Sequence, residues 1–333
     1  WLGRQPKPVQ QLLLPRSFLR HLYVVSRLHR EMHTRNMHNT GKILFVVNPI
    51  AGGKGKRDWE TAICEFFKGS SYTIEFYIQN GESDKASIRH HIHRFAPDTV
   101  VAIGGDGTVK MVAEIVKETS MRLGIIPAGS ANGLAKELGI PPDVNDAIDV
   151  ILNGRQAKLD AIRINEEELC FHLSDVGLNA LLVKYFEASK TRGMWGYARS
   201  LFKMLWNKRK MRVAIQTDEK LIKRKAYMVA IANAEMYGTG AVINPNGDVA
   251  DGKFEIVVVR KIHLLEIFKA VTARKSFNPK RIEVFRTKEV TLTFQQKAPF
   301  QVDGEYMGKI ASLKARILPG IVNIMLPKER GEE

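Results

Sequence analysis

The five residues Gly104-Gly105-Asp106-Gly107-Thr108 set one carboxylate among small, flexible neighbours, directly after the apolar run 99–103. Glycine amides in such a loop approach a polyphosphate closely, and a carboxylate there suits an Mg2+ ion or the orientation of a hydroxyl. The same letters also make an ordinary Asp-Gly turn. A hairpin turn joins two strands, however, and here a helical pattern follows.

Two more loops share that setting. Asn48-Pro49-Ile50-Ala51-Gly52-Gly53-Lys54-Gly55-Lys56 follows the β-branched run 42–47 and precedes a helical pattern. Its glycines and the helix start behind it favour an anion. It lacks the GxxxxGK[ST] spacing of a P-loop, and alone it reads equally as a tight-packing turn. Pro127-Ala128-Gly129-Ser130-Ala131-Asn132-Gly133 is the third loop. There Ser130 or Asn132 is a natural helix cap, and either is equally able to bond phosphate or ribose. The candidate phosphate and nucleotide contacts are therefore Asn48, Pro49, Gly52 and Gly53, then Gly104 to Thr108, then Gly129, Ser130 and Asn132.

These loops need a frame. Strand patterns at 42–47, 72–78, 99–103 and 122–126 alternate with helical ones at 58–67, 83–94, 109–117 and 132–138. Such alternation predicts a layered α/β unit with a mostly parallel sheet, whose ligands bind beyond the carboxyl ends of the strands. All three loops fall on that edge. After about residue 158 strand patterns dominate: 159–164, 169–173, 211–216, 227–232, 254–259, 281–285, 290–294 and 321–325. This predicts a second, antiparallel β-sandwich-like domain, with the active site in the cleft between the two. The expected division is a basic leader over 1–40, an α/β ATP-binding domain over 41–158 and a β-rich lipid-substrate domain over 159–312. Residues 313–333 are a candidate to complete the α/β domain. Met37 makes a natural start, so the leader is set apart as an extension.

Composition narrows the function classes. The chain has 333 residues, 44% of them hydrophobic, and two cysteines, Cys64 and Cys170. That is enough for two domains; it excludes a disulfide framework or a cysteine-based zinc site and suits a reducing cytosol. No apolar run approaches about 18 residues, so no membrane-spanning helix is expected. The net charge of +16 is concentrated: residues 1–36 carry seven Lys/Arg against one acid, and residues 184–225 thirteen against three. An anionic membrane surface and nucleic acid are the two partners such patches fit. No nucleic-acid recognition module accompanies the charge, so nucleic acid ranks last. Residues 184–212 interleave Phe186, Met194, Trp195, Tyr197, Leu201, Phe202, Leu205 and Trp206 with Lys184, Lys190, Arg192, Arg199 and Lys203. Aromatic residues with snorkelling cations suit a membrane interface, while a core-packing helix with a solvated basic face is the plainer account. The expected place is cytoplasmic and peripheral at a membrane; a homo-oligomer stays open.

The three loops in this order resemble those of the diacylglycerol kinase catalytic-domain superfamily, which includes sphingosine kinases and bacterial soluble lipid kinases. The resemblance covers about residues 41–328. Downstream, Gly177-Leu178-Asn179-Ala180, Asp251-Gly252-Lys253-Phe254 and Val302-Asp303-Gly304-Glu305 resemble further family segments. The resemblance implies an ATP- and Mg2+-dependent kinase acting on a lipid hydroxyl, of diacylglycerol or a sphingoid-type lipid. Asp303 and Glu305 then join Asp106 as candidate catalytic bases, and the choice among the three stays open. Asp175 and Asn179 fall where substrate contacts are expected. A structural Mg2+ is implied at Asp251, with backbone oxygens near Asp248 and Lys253. Asn132-Gly133 stands where many diacylglycerol-type members have Asn-Asp, and Gln79-Asn80 replaces an expected ATP-site threonine. An NAD kinase-like enzyme for a soluble hydroxyl, or a catalytically weak binding relative, is the alternative.

Overall fold

The structure is a computed structural model, and it describes residues 40–51, 58–187, 203–204, 206, 209–235, 247–261 and 282–328. The amino-terminal part runs β1 (Gly41–Val47), α1 (Asp58–Phe67), β2 (Tyr72–Ile78), α2 (Asp84–Phe95), β3 (Thr99–Gly104), α3 (Asp106–Val116), β4 (Arg122–Pro127), α4 (Gly133–Glu137) and α5 (Val144–Asn153). Strand β1 pairs in parallel with β2 and β3, and β3 with β4. Ile43 to Val47 and Val100 to Ile103 are buried throughout, as strands covered by helices on both faces must be. The loops after β1, β3 and β4 consequently emerge side by side at one sheet edge.

The expected boundary of α3 moves. The helix opens at Asp106 rather than Val109, because the amides of Thr108 and Val109 already donate to the Gly105 carbonyl. Helix α5 lies between the expected elements. Its signal was present: Asp143 accepts from the amides of Asn145 and Asp146, just ahead of apolar-spaced Ile148 and Ile151.

The remaining part is antiparallel. It holds β5 (Arg155–Ile164), β6 (Glu168–Cys170), β7 (Leu173–Gly177), α6 (Leu178–Glu187), β8 (Met211–Thr217), β9 (Leu221–Ala226), β10 (Met228–Ala232), β11 (Phe254–Val259), β12 (Ile282–Thr287), β13 (Glu289–Val302) and β14 (Glu305–Leu326). The single strand expected over 169–173 divides into β6 and β7, because the amides of Phe171, His172 and Leu173 turn onto Asp303.

Strand β14 joins the halves. Its first half pairs with β13, its second half pairs antiparallel with β5, and Asn323 and Ile324 pair in parallel with β4. The register between β14 and β5 slips between Leu318 and Val322. Buried Asp160 of β5 sits at that irregularity and accepts from the amides of Gly320 and Gly252, both at 2.7 Å. Separate apolar clusters fill the two halves: Phe45, Ile63 and Leu123 belong to the first, Phe254, Leu292 and Leu313 to the second.

Candidate active site

The three loops are bonded to one another. Asn48 Nδ2 donates to Thr108 Oγ1 at 3.3 Å, and the Asn48 amide donates to the Ile103 carbonyl at 2.9 Å. Thr108 is buried, so its hydroxyl braces the first loop. Gly105 and Gly129 bring the second and third loops into backbone contact. A Cβ on Gly129 would lie 2.5 Å from the Gly105 Cα, a distance no side chain tolerates. Asp106 completes the join: its Oδ2 accepts from the Gly133 amide at 2.9 Å and its Oδ1 from the Leu134 amide at 3.0 Å.

Asp106 therefore caps α4 from across the site. Asn132 does not cap that helix; it takes a left-handed conformation and closes its own loop, with Oδ1 accepting from the Gly129 amide and Nδ2 donating to the Gly129 carbonyl. Ser130 is exposed. Pro49 is exposed at the rim of the first loop. Gly52 and Gly53 lie outside the described residues, as do residues 188–202 of the aromatic and basic stretch 184–212.

The β13–β14 turn faces these loops. A Cβ on Gly107 would lie 3.9 Å from Glu305 Oε1, so the two halves meet at this point. Asp303 adopts φ 48°. Its Oδ1 accepts from the amides of His172 and Leu173 and from the Cys170 thiol, and its Oδ2 from the Phe171 amide, at 3.0–3.2 Å. Glu305 is exposed; its backbone pairs with Val302, and its carboxylate makes no hydrogen bond among the described residues. Burial and the Asp303 carboxylate push the Cys170 thiol far above its ordinary range.

The expected substrate residues also converge on this turn. Asp175 is fully buried; its Oδ2 accepts from Asn179 Nδ2 and from Gln301 Nε2, both at 2.6 Å. Gln301 Oε1 accepts from the Gly304 amide at 2.7 Å. The Asp175–Asn179 pair thus stiffens the turn from behind. Gln301 had no signal in the sequence, where it is one polar residue in a strand.

Lys110, on α3, is the other residue that sequence reasoning missed. Its ammonium lies 3.6 Å from Glu168 Oε2. Burial lowers its proton affinity, but Asp303, Cys170, Glu168 and Glu305 together more than offset that, and the pKa is raised. In sequence it reads as an ordinary surface charge on a helix.

The residues expected to hold a structural Mg2+ are otherwise engaged. Asp251 pairs with the Arg286 guanidinium and accepts from the Lys253 amide, while Asp248 Oδ1 accepts from the Ala250 amide. Among the described residues, no three His, Cys, Asp or Glu side chains group as a metal site. A guanidinium on Asp251 supplies the countercharge a divalent ion would bring, so this donor set as arranged does not fit one.

Residues 42–164 match the family described as diacylglycerol kinase catalytic domain, and residues 174–326 match the YegS C-terminal NAD kinase beta sandwich-like domain. The chain belongs to the diacylglycerol kinase catalytic-domain superfamily. The diacylglycerol kinase of Bacillus subtilis (strain 168) is 25% identical over 301 residues, which is 87% of this chain and 97% of that protein. The diacylglycerol kinase of Staphylococcus epidermidis is 29% identical over 275 residues, 80% of this chain and 86% of that one. A crystal structure of a diacylglycerol kinase from Bacillus anthracis str. Sterne superposes with TM-score 0.65 at 20% identity, covering 86% of this chain and 96% of that one. Another solved chain from that strain reaches TM-score 0.69 at 22% identity. These structures show a shared fold for the superfamily member described here. No helix among the described residues is long and apolar enough to cross a membrane.

Proposed function

We propose that the chain is a lipid kinase that transfers the terminal phosphoryl group of Mg2+-ATP to a lipid hydroxyl, with diacylglycerol or a sphingoid-type lipid as acceptor. The observation that carries this reading is the meeting of the three interlocked loops with the Asp303–Glu305 turn. Phosphoryl transfer asks mainly for positioning and charge neutralisation. Backbone amides at Gly105 to Gly107, where α3 begins, suit a triphosphate, and Mg2+ arrives with it. Of the three candidate bases, Asp106 and Asp303 have both oxygens engaged as structural acceptors. Glu305 is the carboxylate left to reach an acceptor hydroxyl, as a base must. The acceptor comes from an anionic membrane surface that the enzyme contacts peripherally.

The test is incubation with labelled ATP and Mg2+ against a mixed lipid extract. A labelled product in the organic phase is expected. A water-soluble product would support an NAD kinase-like reading instead, and no product would leave a non-catalytic binder. Asp106→Ala should abolish turnover; full activity in that variant would remove the proposed centre. Glu305→Gln should lose roughly 10²–10⁴-fold, the range for general-base removal.

A further inference from the structure

Lys110 carries a charge that the scheme above leaves unused. It stands one helical turn after Asp106, on the helix that the phosphate-handling loop opens. Its side chain is only 11% exposed. Among the described residues its ammonium makes no hydrogen bond; Glu168 at 3.6 Å is its ion-pair partner. Glu168 lies on β6, whose Cys170 thiol donates to Asp303 of the turn at 3.2 Å, and the charges that act on the ammonium are those of Asp303, Cys170, Glu168 and Glu305. All come from beyond the α/β part, whereas Lys110 belongs to it.

Desolvating an ammonium costs free energy that one loose ion pair does not return. The arrangement does supply something else. Two negatively charged residues from the turn and one from β6 would repel one another and the incoming triphosphate. We propose that Lys110 is a positioning residue whose ammonium draws Glu168 and the Asp303–Glu305 turn onto α3, fixing the gap between the phosphate cradle and the carboxylates. The proposal rests on the lipid-kinase reading for its catalytic consequence, but the clamp itself is a property of the fold.

Lys110→Met keeps the aliphatic stem and removes the charge. Turnover should fall roughly 10²-fold, the cost of a misplacement of about 1 Å. KM for ATP should change by less than about twofold, because the lost interaction acts on the reacting geometry. Lys110→Arg should recover most of the turnover. In hydrogen exchange, the amides of Gly304 and Glu305 should lose protection in Lys110→Met and regain it in Lys110→Arg. Unchanged turnover in Lys110→Met would overturn the proposal, as would unchanged exchange at the turn. Loss that follows only a lowered melting temperature, with no rescue by arginine, would also overturn it. If the wild type forms no lipid product, the exchange comparison still decides the clamp, and the kinase reading fails separately.

Discussion

Asp106 spends both carboxylate oxygens on amides of the neighbouring loop, so its removal has two consequences. Beside the loss of turnover, Asp106→Ala leaves two amides without their acceptor and should destabilise by about 1–3 kcal/mol in urea unfolding. The cysteines give an independent check. Cys64 is exposed, and Cys170 is buried beside Asp303 with its thiol pushed far up. At pH 8 a thiol reagent should modify one cysteine quickly in the native chain and the second only after unfolding. At this scale the sequence was readable where residue type and setting agree. Gly104 to Thr108, Asn48 and Asn132 stand at strand-to-helix junctions, and that context marks them. Lys110 and Gln301 were hidden because their meaning lies in partners far along the chain, Asp303 and Asp175 respectively, and no local pattern encodes such a meeting.

Elements carry the next level of constraint. The Gly105–Gly129 contact sets how closely β3 and β4 deliver their loops. Gly129→Ala inserts a methyl 2.5 Å from a backbone atom, so the loops must part. The KM for ATP should rise at least about tenfold, in line with an oversized group that shifts backbone; isothermal titration with a non-hydrolysable nucleotide checks it. At the β14 irregularity, burial raises the Asp160 carboxyl above its ordinary 3.8; the Gly320 and Gly252 amides oppose this, and the Asp248 charge adds to it. A raised acid binds its proton more tightly folded than unfolded. Its stabilising contribution is therefore full below pH 3.8 and lost as pH rises through the folded value. Asp248→Asn relieves the repulsion, and should raise stability at pH 7 by about 0.2–1 kcal/mol with no gain below pH 3.8. Urea unfolding at both pH values measures this. The alternation of strands and helices made the first sheet legible. β14 was legible only as 321–325, because Gly308 and Pro319-Gly320 read locally as breakers, while in the fold Asp160 repairs the backbone there.

Across the whole molecule the charge excess is the broadest feature. Lys210, Arg212, Lys223 and Lys225 line one groove of the β-rich part with Arg224 and Arg260, whose guanidiniums share the single carboxylate of Glu283 at 2.7 and 2.5 Å. Under the proposed membrane contact, vesicle binding should rise with the fraction of anionic lipid and fall with salt, by roughly 1 kcal/mol per cation near the surface. Co-sedimentation measures it, and binding indifferent to both variables would remove the membrane from the scheme. The cation clusters were plain in the sequence, but their arrangement on one face required β8, β9 and β11 to be brought together.

The course of β14 also bears on how the protein is made. Its last residues lie between β4 and β5: Asn323 pairs with Arg122 of β4 and Val322 with Leu159 of β5, partners made far earlier in the chain. Until β14 has been made, β4 presents an unpaired edge, and the three loops stand on a sheet lacking its neighbour. The candidate site therefore reaches its final form only after β14 has emerged, and a fragment ending at Ile164 would carry the recognisable loops without the strand that borders them.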